Sequence, residues 1–134
     1  PLRLVGSEMC IETDVGIVCK NIEKAVRDYQ KLYNVLEVSE IVHDDLQHAD
    51  LCILKTDTGL DVEFISGKQV TNLQKAKITY YHLCYSVENL EEAIARFENN
   101  GSLVVSEPKP AVLFGGKRVT FLMTRNGLIE LVEE

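Results

Sequence analysis

Hydrophobic and polar positions along the chain change period twice, and in the same way each time. Residues 11–19 alternate as a strand, with Asp14, Gly16 and Val18 on one face and Val15, Ile17 and Cys19 on the other. Ile22, Ala25, Val26, Tyr29 and Leu32 or Tyr33 then recur at helical spacing, which predicts an amphipathic helix over 22–33. Asn21 stands where an N-cap belongs, and Glu23 favours the positive end of the helix dipole. The same succession returns as a strand over 78–87, Asn89 as N-cap, and a helix near 90–99 that ends at Asn100-Gly101. At an offset of 82 − 14 = 68 the two stretches align without a gap. Asn21 then meets Asn89, Glu23 meets Glu91, Ala25 meets Ala93, Val26 meets Ile94 and Tyr29 meets Phe97.

Three short strands are expected after the first helix, over 36–42, 49–55 and 59–65, separated by the polar 43–48 and by Thr56-Asp57-Thr58-Gly59. Residues 66–77 show neither period and read as a connection. In the second half a strand over 103–106 precedes Pro108-Lys109-Pro110, which is expected to interrupt pairing because proline lacks the donor a ladder needs. Gly115-Gly116 turns between 112–114 and a strand over 118–123, and Arg125-Asn126-Gly127 turns into a last strand over 128–132. The pattern implies an α+β protein, one domain over 1–134 made of two βαβββ modules at about 11–66 and 78–133.

A length of 134 residues with 46% hydrophobic content suits one compact domain with its own core. With 14 basic against 21 acidic residues the net charge is −7, which argues against nucleic acid and against an anionic membrane surface as partners. No apolar run approaches the roughly 20 residues of a membrane helix and no leader pattern opens the chain. A soluble, cytoplasmic protein is expected. Cys10, Cys19, Cys52 and Cys84 are dispersed, as for reduced thiols without a metal or redox framework.

The repeat also carries chemistry. Asp61-Val62-Glu63-Phe64-Ile65 lies under Leu128-Ile129-Glu130-Leu131-Val132 at 130 − 63 = 67, so a carboxylate recurs in the middle of each module's final strand. Asp14 and His82 share one position in the first strands. A strand carboxylate is ordinarily solvated. If it faces inward, an unpaired charge is costly, and the remedies are a metal, a cation or a shifted pKa. Recurrence at symmetric positions is required by neither burial nor solubility, and it makes Asp14, Glu63, His82 and Glu130 candidates. Lys109, Lys117, Arg118 and Arg125 cluster around the second-half turns, either to meet an anionic substrate or as a solvated rim. Gly115-Gly116 is no phosphate loop, since it neither follows a buried parallel strand nor opens a helix.

The paired βαβββ plan, the stretch from His82 to Leu90, and the closing stretch from Lys117 to Glu133 with its Leu-Ile-Glu-Leu-Val-Glu ending resemble the vicinal oxygen chelate superfamily. That superfamily includes glyoxalase I, methylmalonyl-CoA epimerase, extradiol dioxygenases, fosfomycin-resistance transferases and bleomycin-binding proteins. The resemblance covers about residues 11–133, and Lys109-Pro110-Ala111 with 114–119 makes the second half most similar to methylmalonyl-CoA epimerase and its glyoxalase-like relatives. It implies a curved mixed sheet half enclosing a divalent metal of the manganese, cobalt, nickel, iron or zinc group, held by Asp14, Glu63, His82 and Glu130. Asp14 departs from the His or Gln usual in the family. The implied chemistry is that of an isomerase, epimerase or lyase next to a carbonyl of a small or CoA-linked acid, with Glu130 as a proton carrier. A second base on the opposite face would come from the neighbourhood of Glu40, His43, Asp44, Asp45 and His48. A homodimer is also implied. The alternative is a metal-free binding protein of the bleomycin-resistance kind; dioxygenation fits less well, because the ligand set holds one imidazole.

Overall fold

The computed structural model describes residues 11–134, and the side chains of residues 13–134; Cys10 lies outside them. The first module contains β1 (Ile11–Val18), α1 (Ile22–Leu32), β2 (Val35–Val38), β3 (Val42–Asp44), β4 (Ala49–Thr56) and β5 (Asp61–Ser66). A linker with a 3-10 turn (Lys68–Val70) and a one-turn helix α2 (Thr71–Lys75) leads to the second module. That module contains β6 (Tyr80–Val87), α3 (Leu90–Asn99), β7 (Leu103–Pro110), a 3-10 turn (Val112–Phe114), β8 (Arg118–Thr124) and β9 (Gly127–Glu133). The α+β class and the two modules read from the repeat are the observed architecture.

Local chemistry accounts for these elements. Asn21 accepts from the Lys24 N–H at 2.8 Å and Asn89 from the Glu92 N–H at 3.0 Å, so both helices start on equivalent asparagine caps. The α3 helix stops at Asn100, and Gly101 takes a φ of +97° that disfavours any larger residue. Ile22, Ala25, Val26 and Tyr29 pack α1 on Cys52, Leu54, Val62 and Phe64, while Leu90, Ala93, Ile94 and Phe97 pack α3 on Val87, Leu122, Ile129 and Leu131. Both helices therefore cover the same side of the sheet, the side to which Val62, Phe64, Ile129 and Leu131 point.

The strands form one sheet in the order β2-β4-β5-β1-β6-β9-β8-β7, with β3 also on β4. Within each module the first strand runs parallel to the last, β1 beside β5 and β6 beside β9. The modules meet along the antiparallel β1–β6 seam. Gly16 lies beside Glu63 and Cys84 beside Glu130, so the change of offset from 68 to 67 arises in the intervening loops and leaves the two modules in register.

Two expectations need correction. The strand over 36–42 is two strands, β2 and β3, separated at Ser39-Glu40-Ile41. The break is held to β4 by Ser39, whose N–H donates to the Ile53 carbonyl and whose hydroxyl accepts from the Ile53 N–H, both at 2.9 Å. Pairing is interrupted between Ser106 and Lys109, as expected, but Pro108-Lys109-Pro110 does not end β7. After register shifts around Ser106, pairing resumes at Lys109 with Val119 and Pro110 with Arg118. β7 is the outermost strand, where a proline need only direct its missing donor away from the sheet.

Candidate metal centre

Alternation sends Asp14 and Gly16 of β1, Glu63 of β5, His82 and Cys84 of β6 and Glu130 of β9 to the side away from the helices. Asp14, Glu63, His82 and Glu130 converge there, with one ligand atom from each lying within 4.8 Å of the others. All four sequence candidates are thus brought together, and each is at most 4% exposed. His82 Nε2 lies 3.3 Å from Glu130 Oε1 and 3.7 Å from Glu63 Oε1. Nevertheless Asp14 Oδ1, both His82 ring nitrogens and Glu130 Oε1 are buried without a hydrogen-bond partner. Orphaned polar atoms on three of the four converging side chains are costly as protein packing and suited to a shared cation.

The electrostatics agree. Burial, reinforced by the Glu130 charge, raises the Asp14 carboxyl to about 6. Burial raises Glu130 to about 8 despite a favourable contribution from the Cys84 thiol, and burial with the Glu130 charge lifts Glu63 well above the usual carboxylate range. Burial lowers His82, opposed by the charges of Glu63 and Asp14. Without a cation the cluster sheds charge. A divalent ion would restore the carboxylates by replacing their protons. Three carboxylates and one imidazole suit the divalent ions expected from the sequence.

Residues that sequence reasoning did not single out complete the surroundings. Phe121 of β8, opposite Glu130, meets His82 in a T-shaped contact at 5.2 Å, and Tyr81, stacked on Phe121 at 6.0 Å, does so at 4.8 Å. A register shift beside Gly16 breaks the alternation and turns Tyr81 toward the cluster; burial, with the charges of Glu130 and Glu63, pushes its hydroxyl up to about 12. Phe121 was legible in principle, from its place on the Glu130 face of an alternating strand. Tyr81 was not, because an irregularity of pairing leaves no mark in the pattern.

The segment 111–114 crosses the open side of the sheet. Leu113 packs against Val18, Leu51 and Ile65 of the first module, and Phe114 against Cys84, Val119 and Val132 of the second. Asp44, fully buried, fastens it by accepting from the Val112 N–H at 3.3 Å while also accepting from the Leu46 and Gln47 N–H groups. Asp44 is therefore a structural acceptor. The other candidates for a second base fall away from the cluster: Glu40, Asp45 and His48 are exposed, and exposed His43 pairs with Asp45 at 3.0 Å and Asp50 at 2.8 Å. Nor do the basic residues form one patch. Arg118 is paired with Glu91 and Glu133, Lys109 and Lys117 are exposed, and Arg125 lies beyond the far end of β8. Arg125 lines a groove of about 680 Å³ on the helix side of the seam, with Val15, Leu83, Tyr85 and Phe97.

Comparison with known proteins agrees with this architecture. The chain superposes on methylmalonyl-CoA epimerase from Mycobacterium tuberculosis with a TM-score of 0.83 at 18% identity, over 98% of this chain and 92% of that one. A hypothetical protein from Bacillus halodurans gives 0.76 at 20% identity, over 95% and 96% of the two chains. Streptomyces coelicolor methylmalonyl-CoA epimerase in complex with 2-nitronate-propionyl-CoA gives 0.72 at 19% identity, over 94% and 96%. No curated protein matches the chain in sequence. The family model of the Glyoxalase/Bleomycin resistance protein/Dioxygenase superfamily matches residues 13–121, and the chain belongs to that superfamily.

Proposed function

We propose that the protein is a metal-dependent isomerase, epimerase or lyase acting at a carbon next to a carbonyl, on a small or CoA-linked acid. The observation that carries this reading is the buried convergence of Asp14, Glu63, His82 and Glu130 with orphaned ligand atoms. The likeness to methylmalonyl-CoA epimerases supports the substrate class. A divalent ion held by these four residues would supply Lewis acidity at the substrate carbonyl oxygen and compensate the charge that follows loss of the adjacent proton.

The chain's own residues do the rest. Glu130, buried beside the other three ligands, is the carboxylate that accepts the α-proton. Phe121 and Tyr81 hold the His82 imidazole in place and keep water from the cluster. Because all four ligands are buried, substrate enters where 111–114 covers the sheet, so that segment moves during turnover. Of the positions expected for a second base only Asp44 is near enough for its charge to act on Glu130 and Glu63, and its oxygens are taken by backbone donors. Chemistry that uses one base, or a returning proton from water, therefore fits better than a two-base epimerisation. Exposed apolar residues on the two edge strands, Leu36 and Val38 on β2 and Leu103 and Val105 on β7, support a homodimer, which sedimentation analysis would test.

Metal analysis of protein purified without chelator tests the reading. About one equivalent of a divalent ion is expected, lost in the His82→Ala, Glu130→Ala double variant, with solvent deuterium entering the α-carbon of a branched acyl-CoA. Absence of both metal and exchange would leave the metal-free binding alternative standing.

A further inference from the structure

The internal two-fold that exchanges the modules also exchanges two cross-strand pairs at the seam. Asp14 of β1 faces Cys84 of β6, and Gly16 of β1 faces His82 of β6. At the offset of 68, Asp14 is the counterpart of His82 and Gly16 the counterpart of Cys84. Each pair thus holds one metal-ligand candidate and one residue beneath it, and the two pairs differ in size.

In the second pair the imidazole lies directly over the glycine. A Cβ placed on Gly16 would come 2.6 Å from His82 Cε1, 2.7 Å from Nδ1 and 3.0 Å from Nε2, closer than nonbonded atoms approach. The ring is already packed against Phe121 and Tyr81, so a Cβ at Gly16 would have to displace it out of that packing. A histidine at this seam therefore requires glycine opposite. In the first pair the opposing residue is Cys84, whose side chain is fully buried among Ala111, Val119, Val132 and Phe114 and has nowhere to go. An imidazole at position 14 would need the volume that the Cys84 side chain fills. The aspartate is shorter by enough to fit, and the thiol lies close enough to Asp14 and Glu130 to favour their ionised forms.

We propose that Cys84 is a positioning residue that determines metal specificity: by filling the space beneath position 14 it fixes a carboxylate there, and so sets an oxygen-rich ligand set selective for manganese-like ions over zinc-like ones. Carboxylates suit harder ions and imidazole suits zinc, nickel and copper. On this view Asp14 is one of two sterically self-consistent arrangements of the seam, the other being the histidine over glycine already present at His82 and Gly16. The selectivity rests on the metal-binding reading above, whereas the packing rule does not, and the two are measured separately.

The packing rule is tested by a cycle of Asp14→His, Cys84→Gly and the double variant in chelator-treated protein, read by thermal melting. Asp14→His alone should lower Tm sharply, and adding Cys84→Gly should recover at least half of that loss although glycine in a strand is itself unfavourable. Additive losses would overturn the rule, whatever the protein does with metal. Gly16→Ala is the independent check: it should displace the His82 ring, seen as a shift of its Cε1–H resonance, and an unmoved resonance would refute the rule even if the double variant did not fold. Selectivity is read as the ratio of zinc to manganese affinity by competition with a chromophoric chelator. The double variant should raise that ratio at least tenfold over the native protein, and an unchanged ratio would remove the assignment to Cys84.

Discussion

Stripped of divalent ions, the protein should lose stability as the pH rises from 6.5 to 8. In the unfolded chain Glu130 titrates near 4.5, and in the fold it is raised to about 8. Through that window the native state keeps a proton that the unfolded state has released, so the unfolding free energy falls with pH. One proton corresponds to about 1.4 kcal/mol per pH unit, or roughly 2 kcal/mol across the window. Glu63, raised in the same direction, adds to this loss. Asp14, at about 6, is already ionised in both states. His82 is lowered from 6.5, so at the acid end of the window the unfolded state still carries part of a proton that the native state refuses, which offsets a small part of the loss. Exposed His43, raised by its hydrogen bond to Asp50, acts in the same sense as the glutamates but is screened by water. Urea denaturation of chelator-treated protein at the two pH values measures the difference, and Glu130→Gln separates the cluster from His43. Excess manganese should flatten the dependence, because the cation takes the place of the protons. Equal metal-free stability at pH 6.5 and pH 8, or an undiminished slope in Glu130→Gln, would refute the reasoning.

Other outcomes follow from single contacts. Asp44→Ala leaves the Val112, Leu46 and Gln47 N–H groups without their acceptor and should cost about 3 kcal/mol by thermal melting. The same variant should raise protease sensitivity within 111–117, since it releases the segment from the side of the sheet away from the helices. Phe121→Ala removes a 5%-exposed ring and one wall of the His82 site; a loss of about 3–4 kcal/mol and a weakened metal affinity are expected from denaturation and chelator competition.

Much of this was legible because the chain states it twice. The coincidence of Asn21 with Asn89, and of Ile22-to-Tyr29 with Leu90-to-Phe97, encodes two helices that start on the same cap and pack on the same side of one sheet. The recurrence of a carboxylate at Glu63 and Glu130 is visible for the same reason, and parallel pairing within each module carries that recurrence into space. What the pattern hid depends on pairing or tertiary position. Pro108 and Pro110 could not be read as strand residues without knowing that β7 is an edge. The kink at Ser39 is set by a side-chain bond to β4, and the inward turn of Tyr81 by a shift of register. Asp44 stood among the candidates for a second base because the family resemblance puts one in its neighbourhood, yet the fold spends it on backbone donors.

A cluster of three carboxylates and an imidazole is a poor answer to the problem of filling a sheet's interior. Apolar residues of similar volume at such positions are commonly neutral or stabilising, since buried ionisable groups lose more hydration than their partners return. Here the loss is uncompensated at four atoms, and the seam concentrates it where the first and last strands of both modules meet. Glu63→Gln, Glu130→Gln tests whether the cluster is retained for ligation at the expense of stability. The amides keep the shape of the protonated acids without their cost of ionisation, so the chelated variant at pH 8 should be more stable than the chelated native protein by about 4 kcal/mol or more. It should at the same time bind no stoichiometric metal. A variant that gains stability and loses metal would mark the cluster as a site whose strain is relieved by its ion. One that loses stability at pH 8 would show that the carboxylates serve the fold itself, and would overturn the assignment of a metal centre.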